Sequence, residues 1–330
     1  MKIGIDLGGT KIEGILLDDA GEVLFKKRVA TPQQDYSKTL LAIKDTVGFL
    51  EDQVGLTASV GIGTPGARSE SSGLMKNCNS TCLNGQPFLE DVSEVLARPV
   101  RIANDADCFT LSEAVDGAAK GEAVVFGVII GTGVGGGVAV NQRLLRGANR
   151  ITGEWGHNPM PRFMCDQTVV AFHPTNDSLE SDRPCYCGKQ NCIETFLSGP
   201  SFQRNYRSCS VEKSDPEHSP EEDLSAEEDL SAEEDLSAEK IVALAEKGEL
   251  QAQSTLATYF NHLAMGLAGV INVLDPNVIV LGGGMSNIAG LVEAVTQLLP
   301  RYVFSDQVLT RLTCAKYGDS SGVRGAAWLW

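Results

Sequence analysis

The chain opens on apolar runs separated by short polar turns. Lys2 to Leu7 reads as a strand, Gly8-Gly9 as a turn and Ile12 to Leu17 as a second strand. An Asp-Asp-Ala-Gly turn and a third strand, Val23 to Val29, follow. This spacing predicts a β-meander. Past Thr31-Pro32, residues Leu40, Leu41, Ile43, Val47 and Leu50 recur close to every 3.6 positions and predict a helix. Val60 to Ile62 reads as a buried strand and Val100 to Ala103 as another strand, the second running into Asn104-Asp105. Polar residues at the carboxyl end of a strand stand where open α/β sheets place ligands.

Near residue 122 the opening pattern begins again. FGVIIGTGVGGGVAVNQRL has the same order as IGIDLGGTKIEGILLDDAG, an apolar strand, a Gly/Thr turn, a second apolar strand and polar turn residues. The duplication predicts two similar lobes facing each other. Farther on, Ser254 to Leu274 has helical spacing and stops at Asp275-Pro276. Val278 to Leu281 then reads as a strand, GGGMS as a tight loop, and Ile288 to Leu299 as a helix ended by Pro300. Residues 221 to 238 are EEDLSA three times over. Their leucines recur every six positions, which fits neither helix nor coiled coil, so a solvated spacer over about 212–239 is expected.

With 330 residues and 42% hydrophobic content the chain can bury the cores of two domains. The net charge of −16 is concentrated in the repeats, and no Lys/Arg cluster offers a surface to a nucleic acid. No window approaches the roughly 20 apolar residues of a membrane span. Met1 leads straight into the first strand, so a cytoplasmic address is expected. The nine cysteines, an odd number without an export signal, read as free thiols or metal ligands.

Five segments carry chemistry. Asp6-Leu7-Gly8-Gly9-Thr10-Lys11 lies between two strands, where its glycines can turn backbone N–H groups toward an anion. Gly131-Thr132-Gly133-Val134-Gly135-Gly136-Gly137 formally contains the dinucleotide fingerprint, but a strand comes after it rather than a helix. It is therefore a second hairpin tip. With the loop Gly282-Gly283-Gly284-Met285 it makes three glycine-rich sites, enough for a nucleotide spanning two lobes. Asp105 is placed to accept a hydroxyl proton during phosphoryl transfer. Asn104, Asp105 and Asp107 also compete to cap the helix that begins there. Lastly, Cys185, Cys187 and Cys192 fall within eight residues, and His157 would complete a Cys3His zinc site. Cys165 or His173 could serve as the fourth ligand instead. Four protein ligands make such a site structural, stiffening the loop that carries Glu154 and Glu194.

Taken in order, DLGGTK, Asn104-Asp105, IGTGVGGG, EWGH, CYCGKQNCIE and LGGGMS resemble the ROK sugar kinases along the length of the chain. The stretch NCNSTCLNGQPF, which includes Asn79, and the ending GDSSGVRGAAWLW resemble the fructokinase and mannokinase branch. The resemblance implies an actin-like, hexokinase-like (ribonuclease H-like) α/β fold, with duplicated βββαβαβα halves around a central cleft. One lobe would span 1–116 and take back a C-terminal helix at 318–330; the other would span 117–317. It implies Asp105 as catalytic base and Asn79, Asn104, Glu154, His157 and Glu194 as sugar contacts. His157, Cys185, Cys187 and Cys192 match the zinc ligands. Asp6, Gly8, Gly9, Thr10 and Lys11 would lie near the phosphates and Mg2+, Gly131, Thr132 and Gly133 against the phosphates, and Gly282, Gly283 and Gly284 near the adenosine.

The activity so implied is ATP-dependent phosphorylation of a hexose. Fructose and mannose are the expected substrates, with glucose or an N-acetylated amino sugar as the alternative. A homodimer is expected, with no nucleic-acid or membrane partner. The family also contains sugar-responsive repressors, which carry a helix-turn-helix ahead of the first strand; only five residues precede Asp6 in this sequence. Two departures stand out. Residues 162–183 lengthen the gap between His157 and Cys185 and are expected to cover the sugar site, and Asn191 stands where a glycine is usual.

Overall fold

The computed structural model describes residues 1–78, 80–161, 182–211 and 236–330. Asn79, the 162–181 segment with Cys165 and His173, and the acidic repeats up to residue 235 lie outside these residues. The chain starts with strands β1 (Lys2–Leu7), β2 (Lys11–Leu17) and β3 (Val23–Ala30), then helix α1 (Tyr36–Asp52) and β4 (Ser59–Thr64). A small hairpin, β5 (Ala67–Arg68) with β6 (Met75–Lys76), leads to α2 (Phe88–Val95), β7 (Val100–Asn104) and α3 (Asp105–Val115). The second half repeats the opening with β8 (Val124–Ile130), β9 (Val134–Val140) and β10 (Arg143–Leu144). Helices α4 (Glu194–Leu197), α5 (Gly199–Val211), α6 (Ala238–Glu246) and α7 (Leu250–Leu274) come next, then β11 (Val278–Gly282), α8 (Leu291–Leu298), β12 (Arg311–Cys314) and α9 (Ser321–Ala327).

Two five-stranded mixed sheets result, ordered β3-β2-β1-β4-β7 and β10-β9-β8-β11-β12. In each, an antiparallel meander is extended by two parallel strands, so the duplication read from the hairpins is a duplication of topology. In the first sheet Ile3, Ile5 and Leu7 of β1 join Ile43, Val47 and Leu50 of α1 in one buried cluster. In the second, Phe126, Val128 and Ile130 of β8 join Tyr259, Leu263 and Leu267 of α7. The opposite face of β1 and β4 receives α9. Gly4 and Gly61 permit that approach, since a Cβ at either would stand 2.0 or 1.9 Å from a backbone oxygen of α9.

The chain crosses between the sheets after α3 and again before α9, and buried carboxylates tie the crossings together. Glu113 accepts hydrogen bonds from the Ala118 and Lys316 N–H groups, at 2.8 and 3.0 Å, and from the Ser321 hydroxyl at 2.7 Å. Asp116 pairs with Arg324 of α9. These bonds anchor α3 and so locate its first residue, Asp105.

The structure moves some predicted boundaries for local reasons. Helix α7 begins four residues earlier than the apolar spacing indicates, because the Glu249 carboxylate caps the Gln251 and Ala252 N–H groups. The helix read from Ile288 starts at Leu291, after Gly290 at a φ of 74°. The expected spacer ends before residue 239. Helix α6 starts inside the last repeat, capped by Ser237, and buries Ile241 and Ala245.

Candidate active site

Strands β1, β4 and β7 run parallel, so Asp6, Thr64 and Asn104-Asp105 come together at the same edge of the first sheet. The competition to cap α3 is resolved by backbone geometry. Asn104 is extended (φ −71°, ψ 170°) and its side chain accepts from the Asp107 N–H at 2.7 Å, which makes it the N-cap. Asp105 is the first helical residue and is released from that duty. One of its oxygens accepts from the Ala106 N–H at 2.8 Å. Asp105 keeps solvent exposure, and desolvation of its carboxyl by the surrounding protein atoms raises its pKa.

Beside it the two hairpins present free donors. The carbonyls of Gly8, Gly9 and Thr10 are taken by the Thr31 hydroxyl, the Gln33 side chain and the Thr31 N–H, at 2.8, 2.8 and 3.0 Å. Among the described residues no protein group accepts from the Gly9 and Thr10 N–H groups, and Lys11 emerges next to them. The second tip is built alike: Gly131 donates to the Gly133 carbonyl at 2.9 Å, which leaves the Thr132 and Gly133 amides without an acceptor among the described residues. Adjacent free amides of this kind form an anion-binding concavity.

Gly131, Thr132 and Gly284 line a cavity of about 570 Å³ closed by Pro200, Val242, Met285 and Ile288, an apolar slot next to the amides. Gly282, Gly283 and Gly133 are absent from its lining. Gly283 has a φ of 81°, and a Cβ there would stand 2.4 Å from the Ile130 carbonyl oxygen, so it serves the tight passage from β11.

A second cavity, about 940 Å³, extends from the cleft between β7 and β10. It brings together Asn104, Glu154 and two residues that the sequence pattern did not assign to the sugar end, Asp107 and Arg146. An ion pair between Glu70 and Arg150, 2.8 Å long, spans its rim. Acids accumulate here. Burial raises Asp6 to about 6, aided by the charges of Asp105 and Glu13 and opposed by Lys11. Asp107 rises to about 7 through burial, with Arg146 opposing and Glu154 and Asp105 assisting. Glu154 is also raised, first by burial; His157 and Lys76 oppose, while Asp105 and Glu194 assist. A signal for Asp107 did exist, since it lies two positions after Asp105 in the first helical turn, but capping explained it equally well.

The raised pKa values set a direction for stability. Between roughly pH 4, where an unfolded Asp titrates, and pH 7, the folded state holds protons on Asp6 and Asp107 that the unfolded chain has released. Their contribution to stability therefore falls as pH rises through this window. In the Asp107→Asn variant the melting temperature is expected to drop less between pH 5 and pH 8 than in wild type. Calorimetry at several pH values checks this, and equal drops would refute it.

The Cys/His cluster forms next to the acids. Ligand atoms of His157, Cys185, Cys187 and Cys192 all lie within 4.8 Å of one another. The Cys187 and Cys192 sulfurs are 3.6 Å apart, against about 3.8 Å along the edge of a zinc–thiolate tetrahedron. His157 is the fourth member among the described residues, its Nδ1 being 3.5 Å from the Cys185 sulfur. Its Nε2 meets the Tyr186 hydroxyl at 3.0 Å, so in this arrangement both ring nitrogens have partners. The departure at Asn191 is resolved: its φ of 57° is the left-handed conformation that glycine adopts freely and asparagine tolerates. The donor set fits Zn2+, which when bound would cross-link residues 157 and 185–192.

Paired sheets of one topology, a carboxylate at the strand ends and two hairpins with unpaired amides accord with a two-lobed phosphotransferase of the hexokinase type, and the relatives make it one that acts on a sugar. The chain belongs to the ROK family, which it matches over residues 2–330. It is 36% identical over 330 residues to a protein from Salmonella paratyphi B named N-acetyl-D-glucosamine kinase, covering 100% of this chain and 99% of that one. A Yersinia pseudotuberculosis protein of the same name is also 36% identical, over 332 residues, covering 100% of this chain and 98% of that one. Among solved structures it resembles a ROK hexokinase from Thermus thermophilus, with a TM-score of 0.78 and 28% identity over 99% of this chain and 97% of that one. These relatives do not carry the fructokinase name expected from Asn77 to Phe88. Among the described residues no helix is long and apolar enough to cross a membrane.

Proposed function

We propose that this chain transfers the γ-phosphoryl group of ATP to a hydroxyl of N-acetylglucosamine, with Asp105 as general base. The observation that carries the chemistry is Asp105 itself, a carboxylate freed from capping by Asn104, at the same sheet edge as the first hairpin and its free amides. The amino-sugar assignment rests on the full-length 36% identity to kinases of that name, and it takes the place of fructose. The 940 Å³ cavity beside Asn104, Asp107 and Glu154 has room for a substituent beyond a plain hexose ring.

In this reading the sugar lies against Asn104, Glu154 and Glu194, and the hydroxyl to be phosphorylated points at Asp105. The amides of Gly9, Thr10, Thr132 and Gly133 hold phosphate oxygens, Lys11 offsets charge, and the slot at Val242 and Ile288 takes the base. Asp6 would hold Mg2+, a fit suggested by its raised pKa, which burial causes first and the nearby Asp105 and Glu13 charges increase. When bound, that ion would neutralise phosphate charge.

The test is ADP release with N-acetylglucosamine, glucose, mannose and fructose as acceptors. N-acetylglucosamine is expected to lead in kcat/KM by at least about tenfold, the discrimination that a site bonding an extra polar group readily supplies. A lead for fructose would restore the fructokinase reading. Silence on all four would refute the kinase reading.

A further inference from the structure

Glu194 stands in the sequence as a sugar contact, and one of its two carboxylate oxygens is committed to the backbone. Its Oε2 accepts the Val134 N–H at 2.9 Å, at the exit of the second hairpin tip. A Cβ built on Gly133 would stand 2.7 Å from that same oxygen, so carboxylate and tip are in close contact. Five residues on, the Gly199 N–H donates to the Gly131 carbonyl at 2.8 Å. The segment from Glu194 to Gly199 thus grips the hairpin at both ends of the Thr132-Gly133 pair whose amides are free. Gly199, Pro200 and Gln203 continue from it to line the cavity that Gly131 and Thr132 enter. At its other end the segment is joined to Cys192, two residues before Glu194, and the Ile193 N–H is tied to the Asn158 carbonyl at 2.8 Å.

We infer that Glu194 is a positioning residue for nucleoside triphosphate: by holding the Val134 N–H it fixes the orientation of the Thr132 and Gly133 amides. Two alternatives were open to this side chain, a sugar contact alone and a packing group. A group that served the sugar alone would have no reason to hold the Val134 N–H with its Oε2, and its Oε1 stays available to a sugar hydroxyl. A packing group would not need a charge beside a hairpin whose remaining amides face a nucleotide-sized slot. The inference rests on the kinase reading of the site, and its test separates the two.

Binding of magnesium adenylyl imidodiphosphate is measured by calorimetry without sugar, in wild type and in the Glu194→Ala, Glu194→Gln and Gly133→Ala variants. Gln retains a carbonyl oxygen that can accept from Val134, whereas Ala does not. Glu194→Ala is expected to bind the nucleotide about tenfold more weakly, the scale of a lost hydrogen bond to a charged acceptor, and Glu194→Gln within about twofold of wild type. Gly133→Ala, which displaces the carboxylate from the other side, is expected to weaken binding as Glu194→Ala does. Should Glu194→Ala fail to fold, Glu194→Asp replaces it: the shortened side chain withdraws the oxygen and must also weaken binding. Unchanged nucleotide affinity in folded Glu194→Ala or Glu194→Asp, with only the sugar KM raised, would overturn the positioning role and leave the kinase reading intact. No nucleotide binding by wild type would overturn both.

Discussion

Replacing Asp105 with asparagine is expected to lower kcat by at least about 100-fold, the lower end of what a positioned general base contributes. The folding of the variant should be close to that of wild type. Asn104, not Asp105, caps α3, and an asparagine at 105 can still accept from the Ala106 N–H that Asp105 bonds now. The substitution also removes a buried-site charge that raises Asp6, Asp107 and Glu154, so it relieves repulsion instead of creating it. Loss of rate without loss of stability is therefore the signature of the base. Steady-state kinetics together with a melting curve measures it. A kcat within threefold of wild type, in a folded variant, would remove Asp105 from the chemistry.

Cys192→Ser is expected to abolish metal binding and to destabilise the protein by on the order of 4 kcal/mol, the scale reached by loss of a structural metal. Cys192 is fully buried, its sulfur lies 3.6 Å from both the Cys187 sulfur and the His157 carbonyl oxygen, and serine is a poor zinc ligand. Without the cross-link, the loop from Trp155 to His157 and the short helix at Glu194 lose their shared anchor, so a raised KM for sugar should accompany the fall in stability. Elemental analysis and calorimetry check the result, with and without a chelator. The chelator should lower the melting temperature of wild type toward that of the variant and leave the variant unchanged. Wild-type protein purified without bound metal, and insensitive to the chelator, would refute the zinc assignment.

The two predictions differ in how far the sequence alone supports them. A short-range pattern is legible wherever a repeat of two or 3.6 positions, or a turn residue, carries the signal. This made the opening meander, its second copy, the long helix ending at Asp275-Pro276 and the strand before Gly282 readable. It also made the choice between hairpin tip and dinucleotide loop readable, since the residues after Gly137 alternate as a strand does. The three cysteines could be grouped by spacing, and the acidic repeats recognised as unlike the rest. Family motifs then supplied the fold and the catalytic aspartate as expectations.

Whatever depends on residues distant in the chain, or on a backbone angle, was fixed by packing. Local chemistry offered Asn104, Asp105 and Asp107 as equal caps; only the extended conformation of Asn104 assigned the role and left Asp105 free. His157 stands 28 positions before Cys185, a distance along the chain that says nothing about approach, and the folded loop brings its Nδ1 to 3.5 Å. Glu194 reads as one more acid near a cysteine, and its grip on the hairpin appears only when the fold brings the first residue of α4 to the Val134 N–H. Even where the helices begin was partly a matter of packing, because α6 takes its cap, Ser237, and its first residue, Ala238, from the acidic repeat once Ile241 has a core to enter. Two copies of a strand-turn-strand unit, and the residues able to do phosphoryl chemistry, were legible in the amino-acid order alone. Which of those residues are free to do it was settled in three dimensions, because a hydrogen-bonding atom already used by the fold is withdrawn from a substrate, as the Asn104 side-chain oxygen is while Asp105 keeps one oxygen open.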